Sequence, residues 1–276
     1  MTRWSDVIVL GGGPAGLSCA RELRKLGVKS VTLLEREAEL GGVPRHCGHT
    51  GYGLREFGKL YTGPDYAKRI ADDASDADLR PRMTALKIEP GGLIRATGPN
   101  GMEDLQAKAV VLAMGARETP RSARLISGTR PFGVMNTGAL QQFIYLHGRC
   151  PFECPVVVGS ELVAFSTLLT LRHAGIKPLA MIEEGERITA HRPGEWIARL
   201  GFGVPLMVNT KLVRILGQDR VEAIEVDRGF GPERFECDGV ILTGRFRPEA
   251  ALIAASHVEL DAGTSGPAID GHFRCS

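Results

Sequence analysis

Three consecutive glycines between an aliphatic segment and a helical one offer the plainest chemistry in the chain. Val7-Ile8-Val9-Leu10-Gly11-Gly12-Gly13-Pro14-Ala15-Gly16 contains the spacing G-x-G-x-x-G. In that setting Gly11 permits a tight turn, Gly13 lets the backbone approach a diphosphate, and Gly16 lets the next helix pack close to the strand. Ala15 opens that helix directly after Pro14, and the helix N–H groups and partial positive charge suit phosphate oxygens. Glu35 ends the next aliphatic segment about twenty residues beyond Gly16, where a carboxylate accepts hydrogen bonds from an adenosine ribose. Residues of this kind at this spacing bind the ADP half of a dinucleotide, and alone they do not separate FAD from NAD.

The elements that must hold this turn follow from hydrophobic periodicity. Residues 6–10 are predicted as a buried strand, 15–26 as a helix through Leu17, Ala20 and Leu23 ended by Gly27, and 30–34 as a second strand. Together they make a βαβ unit of about 30 residues with a right-handed crossover. The unit returns as a strand at 155–158, a helix at 162–174 and a strand at 178–182, so two nucleotide-type folds are expected in one α/β chain. Each copy is followed, after a β-rich stretch, by a strand ending in a small residue and glycine, at 110–115 and 240–244. Between residues 85 and 112, Gly91-Gly92 and Asn100-Gly101 mark turns of an antiparallel meander within the first fold.

With 276 residues, 43% of them hydrophobic and 24% charged, the chain can bury ordinary aliphatic cores. A net charge of +2 gives no footprint for nucleic acid or a membrane surface. No N-terminal apolar run is long enough for a signal peptide or a membrane span, which predicts a cytoplasmic protein. The six cysteines are scattered and are expected to be thiols in a chain of this size. Cys47 with His46 and His49, and Cys150-x-x-x-Cys154, lack the paired ligand spacing of a zinc site, so no metal is predicted. Gly159-Ser160-Glu161 lacks the G-x-S-x-G frame of a nucleophile elbow, which leaves hydrolase chemistry unsupported.

Beyond the turn and Glu35, the chain carries Gly41-Gly42, the strand Ala109-Val110-Val111-Leu112-Ala113-Met114-Gly115 followed by Pro120, and Asp238-Gly239-Val240-Ile241-Leu242-Thr243-Gly244 followed by Pro248. In this order the motifs resemble the pyridine nucleotide-disulfide oxidoreductase superfamily. The resemblance spans nearly the whole chain. It implies a first Rossmann-like fold for FAD, residues 1–122 plus 249–276, and an inserted NAD(P)-type fold, residues 123–248. Gly41-Gly42-Val43-Pro44-Arg45-His46-Cys47 and Gly115-Ala116-Arg117-Glu118-Thr119-Pro120-Arg121 are similar, more narrowly, to FAD subunits of opine oxidases, amino-acid dehydrogenases and hydrogen cyanide synthase, enzymes that oxidise C–N bonds. By resemblance Gly11, Gly13, Pro14, Ala15, Gly16, Glu35, Arg36, Gly42, Arg45, Ala113 and Gly115 would line the FAD. The loop carrying Arg45, His46, Cys47 and His49 would pass near the isoalloxazine. There Arg45 could supply positive charge to the reduced flavin and His46 could accept a proton, unless the loop is simply a shaped turn.

Three departures modify these expectations. Disulfide reductases of the superfamily place two cysteines after the paired glycines, and only Cys47 stands here, so a dithiol relay is not expected. The second turn reads Gly159-Ser160-Glu161-Leu162-Val163-Ala164, with glutamate in the place of the second glycine. A side chain there blocks the backbone from a diphosphate, and its charge opposes one at about 1 to 4 kcal/mol at surface-like dielectric. The second fold is therefore read as retained scaffold, with NAD(P)H use the lesser alternative. Glu183, at the end of the next strand, is either a ribose acceptor or a solvated strand-end charge. Finally, relatives continue past a stretch like Gly271-His272-Phe273-Arg274-Cys275-Ser276 into a glycine-aspartate motif that holds the flavin, which predicts weakened FAD binding and a largely apo preparation.

The expected activity is an FAD-dependent dehydrogenase of amino-acid-like or opine-like small molecules, passing electrons to a partner protein or a quinone. The alternatives are an NAD(P)H-dependent flavin oxidoreductase and a nucleotide-binding protein inactive alone.

Overall fold

The aliphatic segment before the glycines becomes the central strand of a six-stranded sheet. We describe residues 2–190 and 201–275 in a computed structural model of the chain. Strand β1 (Arg3–Leu10) runs into helix α1 (Pro14–Lys25) and strand β2 (Val31–Leu34). Helix α2 (Gly63–Asp73) and strands β3 (Asp78–Arg80), β4 (Thr84–Glu89), β5 (Leu93–Gly98) and β6 (Gly101–Leu112) follow. The sheet order is β3-β2-β1-β6-β5-β4. β3, β2, β1 and β6 are parallel, whereas β6, β5 and β4 form an antiparallel meander. The long β6 changes partner along its length, facing β5 over residues 101–106 and β1 over 105–112.

Helix α1 forms because Pro14 pre-sets its first turn, Leu17 and Ala20 share a buried face, and Gly27 ends it at φ +87°. That face packs with Val9, Leu33, Tyr66 and Ile70 in one apolar cluster, so the turn is mounted on rigid elements. The helix begins one residue earlier than the periodicity predicts, since Pro14 needs no backbone N–H there.

The second unit repeats the plan. Its strands are β7 (Ser127–Gly128), β8 (Val134–Asn136), β9 (Pro155–Val158), β10 (Ala180–Ile182), β11 (Leu206–Met207), β12 (Lys211–Leu216), β13 (Ala223–Asp227), β14 (Pro232–Glu236) and β15 (Gly239–Leu242). A parallel sheet runs β8-β15-β9-β10-β11, and a smaller one runs β7-β12-β13-β14. Helix α3 (Thr137–Gln141) follows β8, and helix α4 (Leu162–His173) joins β9 to β10, burying Ala164, Phe165, Leu168 and Leu171.

The first unit comprises residues 1–45, 50–117 and 247–276, and the second comprises 46–49 and 118–246. The fold is thus two Rossmann-like halves, the second inserted in the first, with the meander in the first. Two strand ends need correction. The segments read as running to Gly115 and Gly244 stop at Leu112 and Leu242, and the glycines themselves sit at φ +74° and +64°, outside the extended region. Ser276, the last residue of the quoted ending, lies outside the described residues.

Candidate functional site

The first turn is held by the strands on either side of it. Gly11 N–H donates to the Leu34 carbonyl at 2.9 Å, and Ala113 N–H donates to the Leu10 carbonyl at 2.8 Å. Gly11 has φ +110°, and a Cβ there would run into the Ala113 carbonyl, so the position is closed to any other residue. A Cβ at Gly16 would collide with the Gly11 carbonyl and meet Val9, the close helix–strand contact expected of it. Gly13 differs. As the residue before α1 it has φ −81° and ψ −175°, a conformation any residue adopts, and the nearest atom to a Cβ there would be Gly42 Cα at 3.8 Å. What Gly13 preserves is open space in front of the helix N-terminus, where no side chain caps the first turn.

Gly41 and Gly42 close the far side. Gly41 N–H donates to the Gly12 carbonyl at 2.7 Å, and a Cβ on Gly42 would lie 2.8 Å from Gly13 Cα. The Glu35 carboxylate, only 8% exposed, is aimed at the turn. Its Oε2 accepts from Gly12 N–H at 2.7 Å, and its Oε1 accepts from Glu37 N–H at 2.8 Å. The role of Gly12 was missed by sequence reasoning: a Cβ there would press on the Leu40 side chain and on Glu35. The available signal was the middle glycine of the three, to which the motif assigns no task.

The remaining first-unit candidates are spread around this cradle. Ala113 is half-buried just beyond β6, and the carbonyl of Gly115 accepts from Glu249 N–H at 3.0 Å. Arg36 is exposed and lies 3.8 Å from both Glu37 and Glu249. Arg45 donates to the Glu39 carbonyl at 2.7 Å and pairs with the Glu39 carboxylate at 3.5 Å, so its charge already has a counter-ion.

His46, Cys47 and His49 pack with the second unit, and the structure does not gather them with Arg45 in one unit. His46 and Cys47 are buried, at 7% and 4% exposed. The Cys47 thiol donates to Gln141 Oε1 at 3.3 Å, and Gln141 Nε2 donates to Ser166 Oγ at 2.8 Å. His49 Nε2 lies 2.7 Å from the same hydroxyl, and Gly48 has no room for a Cβ because Tyr145 covers it. Cys47 therefore sits in a polar network against α4.

The second turn reproduces the hydrogen-bond frame of the first. Gly159 N–H donates to the Ile182 carbonyl at 2.9 Å, and Thr243 N–H to the Val158 carbonyl at 3.0 Å. Glu183 Oε1 accepts from Gly185 N–H at 2.9 Å, as Glu35 accepts from Glu37. In place of a backbone donor, the Ser160 hydroxyl bonds Glu183 Oε2. Glu183 is half-buried and both of its oxygens accept hydrogen bonds. Glu161 Oε2 accepts from Thr243 Oγ1 at 2.8 Å. Beside this turn lies a cavity of about 550 Å³, lined among others by Glu161, Glu183, Arg124, Lys211 and Arg245.

A buried carboxylate that sequence reasoning quoted without a role braces this unit. Glu118 is 6% exposed and accepts from Gly138 N–H at 2.8 Å and Gly244 N–H at 3.1 Å. Burial pushes its carboxyl above the usual glutamate range, although the Gly138 and Gly244 N–H groups pull the other way. A folded pKa raised above the unfolded one means that its contribution is full below the unfolded value and is lost as pH rises through the folded one. We expect Glu118→Gln, which cannot ionise, to be less stable than the parent by an amount that shrinks as pH rises from about 4 to 7. Thermal unfolding of both proteins across that range measures it, and a pH-independent difference would contradict it.

Among the described residues, no group of three His, Cys, Asp or Glu side chains could hold a metal ion, and no helix is long and apolar enough to cross a membrane.

The family described as pyridine nucleotide-disulphide oxidoreductase matches residues 5–275. An opine oxidase subunit from Rhizobium meliloti is 26% identical over 284 residues, covering 92% of this chain and 52% of the relative. The alpha chain of sarcosine oxidase from Corynebacterium sp. (strain P-1) is 28% identical over 279 residues, covering 90% of this chain and 27% of that one. The chain spans about half the length of the opine oxidase subunits it matches. Among solved structures, T. acidophilum thioredoxin reductase superposes with a TM-score of 0.78 at 21% identity, covering 99% of this chain and 87% of that one. L-proline dehydrogenase from P. horikoshii gives 0.70 at 21% identity, covering 100% and 49%.

Proposed function

The chain belongs to the pyridine nucleotide-disulphide oxidoreductase family, and from that premise we propose that it is an FAD-dependent oxidoreductase whose first unit holds the ADP half of the flavin dinucleotide. The observation that carries this reading is the open space at Gly13, set between an uncapped helix N-terminus and a buried carboxylate turned toward the same glycine run. The residues fit the group. Gly13 keeps the space in front of the helix N-terminus free of a Cβ, Gly11, Gly16 and Gly42 let strand, helix and loop approach closely around it, and the opening of α1 at Pro14 and Ala15 offers a diphosphate positive potential. Each Glu35 oxygen accepts one N–H and keeps a lone pair for a ribose hydroxyl. Arg36, Arg45, Ala113 and Gly115 complete the proposed cofactor-binding set. When bound, FAD supplies the two-electron acceptor.

The proposed substrates are amino-acid-like or opine-like molecules oxidised at a C–N bond. Similarity to proteins named as components of opine oxidase and of sarcosine oxidase supports this class. Both relatives are named as subunits, which supports a partner that takes the electrons or completes the site; a quinone acceptor is the other outlet. Arg45, in the first unit, is proposed to offer its Glu39-paired charge to that chemistry. Disulfide reduction is not proposed, because Cys47 is a single thiol already donating to Gln141.

A second reading, an NAD(P)H-dependent flavin oxidoreductase, draws on the duplicated frame around Gly159 and Glu183. Anaerobic mixing separates the two. With FAD in excess, sarcosine, proline or an opine is expected to bleach the flavin absorption and NADH is not; bleaching by NADH alone would reverse the assignment.

A further inference from the structure

We infer that the second nucleotide fold is closed to pyridine dinucleotides by its own Glu161 carboxylate, which lies where the diphosphate would have to sit, and that shortening this one side chain opens the fold. The inference concerns the second unit alone and does not depend on what the first turn binds.

The two turns in the chain serve as each other's control. Both hang from the same pair of strand-end hydrogen bonds, Gly11 to Leu34 and Ala113 to Leu10 in one, Gly159 to Ile182 and Thr243 to Val158 in the other. The residue before each helix has nearly the same backbone: φ −81° and ψ −175° at Gly13, φ −70° and ψ 172° at Glu161. The glutamate is therefore not a response to a different turn. It is a side chain added to the position that the first fold leaves bare.

Its direction is the decisive observation. Glu161 does not cap its own helix with its side chain. The carboxylate instead turns back across the turn, accepting from Thr243 Oγ1 at 2.8 Å. A Cβ on Gly244 would meet both of its oxygens, and a Cβ on Gly159 would lie 2.7 Å from Oε2, so the carboxylate spans the mouth between these two glycines. In the first fold a Cβ on Gly13 would meet nothing nearer than 3.8 Å.

The surrounding charges do not relieve the conflict. Glu183 and Glu184 line the same cavity. Arg245 and Lys211 lie 3.7 and 3.6 Å from Glu184. Arg124 directs its guanidinium to the carbonyls of Thr119, Thr243 and Gly244. A diphosphate would displace the carboxylate from its hydroxyl partner or face it at close range. The residues present do not fit the group.

The test is calorimetric titration with ADP-ribose, which carries the diphosphate and undergoes no redox reaction. A Gly13→Glu background closes the first turn, so failure here is distinct from failure of the FAD assignment. In that background, Glu161 intact is expected to give no saturable binding at millimolar ligand. Glu161→Gly is expected to bind at least tenfold more tightly than that limit. Glu161→Ser, a good residue at this helix position, should also gain and guards against loss of folding. Glu161→Gln keeps the bulk without the charge and should gain less than glycine. Micromolar binding with Glu161 intact would overturn the inference, as would glycine and serine variants that unfold normally yet bind no better.

Discussion

Gly13→Glu is expected to lower the affinity for FAD at least a hundredfold while leaving the apo protein folded. The substitution fits the backbone, because Gly13 is extended and a Cβ there is 3.8 Å from its nearest neighbour. Glu161, in the corresponding place of the second turn, shows that the same local frame folds with a glutamate in it. What the variant loses is the open approach to the helix N-terminus. A carboxylate would occupy it and oppose a diphosphate by about 1 to 4 kcal/mol before steric exclusion is counted, and a hundredfold corresponds to about 2.7 kcal/mol. Titration of FAD by flavin fluorescence, with a melting curve as the folding control, measures both. Unchanged affinity in a folded variant would mean that the cofactor does not approach the turn.

Glu35→Ala should be nearly as damaging to binding and, unlike the change at Gly13, should also weaken the fold. The carboxylate accepts from Gly12 N–H and Glu37 N–H, and it is 8% exposed, so its removal leaves the buried Gly12 N–H and the part-buried Glu37 N–H without their acceptor. Each such loss costs about 1 to 3 kcal/mol, and a lost hydrogen bond from a ribose hydroxyl to a charged oxygen is of similar size. The expected result is FAD affinity reduced by about ten- to a hundredfold, with a lower urea midpoint. Glu35→Gln keeps one acceptor oxygen and should fall between. A Glu35→Ala protein that unfolds earlier yet binds FAD normally would assign the carboxylate to structure alone.

The parts of this molecule that were legible in the sequence are those written in local chemistry. The glycine spacing, the apolar stripe of Leu17 and Ala20, and the recurrence of strand, glycine and helix at residues 155–173 depend on neighbours within a few turns of chain. The structure returns them as a duplicated strand–turn–helix. Glu161 was legible for the same reason, as a misfit to a short pattern, although its engagement with Thr243 was not. The less legible features depend on contacts between distant residues. Leu40 explains Gly12 only once the chain after β2 folds back over the turn. Glu118 acquires its role from N–H groups of Gly138 and Gly244, far along the chain, and nothing in Gly115-Ala116-Arg117-Glu118 announces it. Cys47 and His49, neighbours of Arg45 in sequence, answer to Gln141 and Ser166 in the fold. Proximity along a loop was a poor guide to which side chains share a site.

Titration of FAD into the unmodified chain, beside the Gly13→Glu chain, tests the central claim most directly. The unmodified chain should take up a single FAD to saturation, and the variant should show no saturation over the same range. Equal binding by both, or a folded parent that takes up no FAD, would remove the turn at residues 11–16 from the cofactor site.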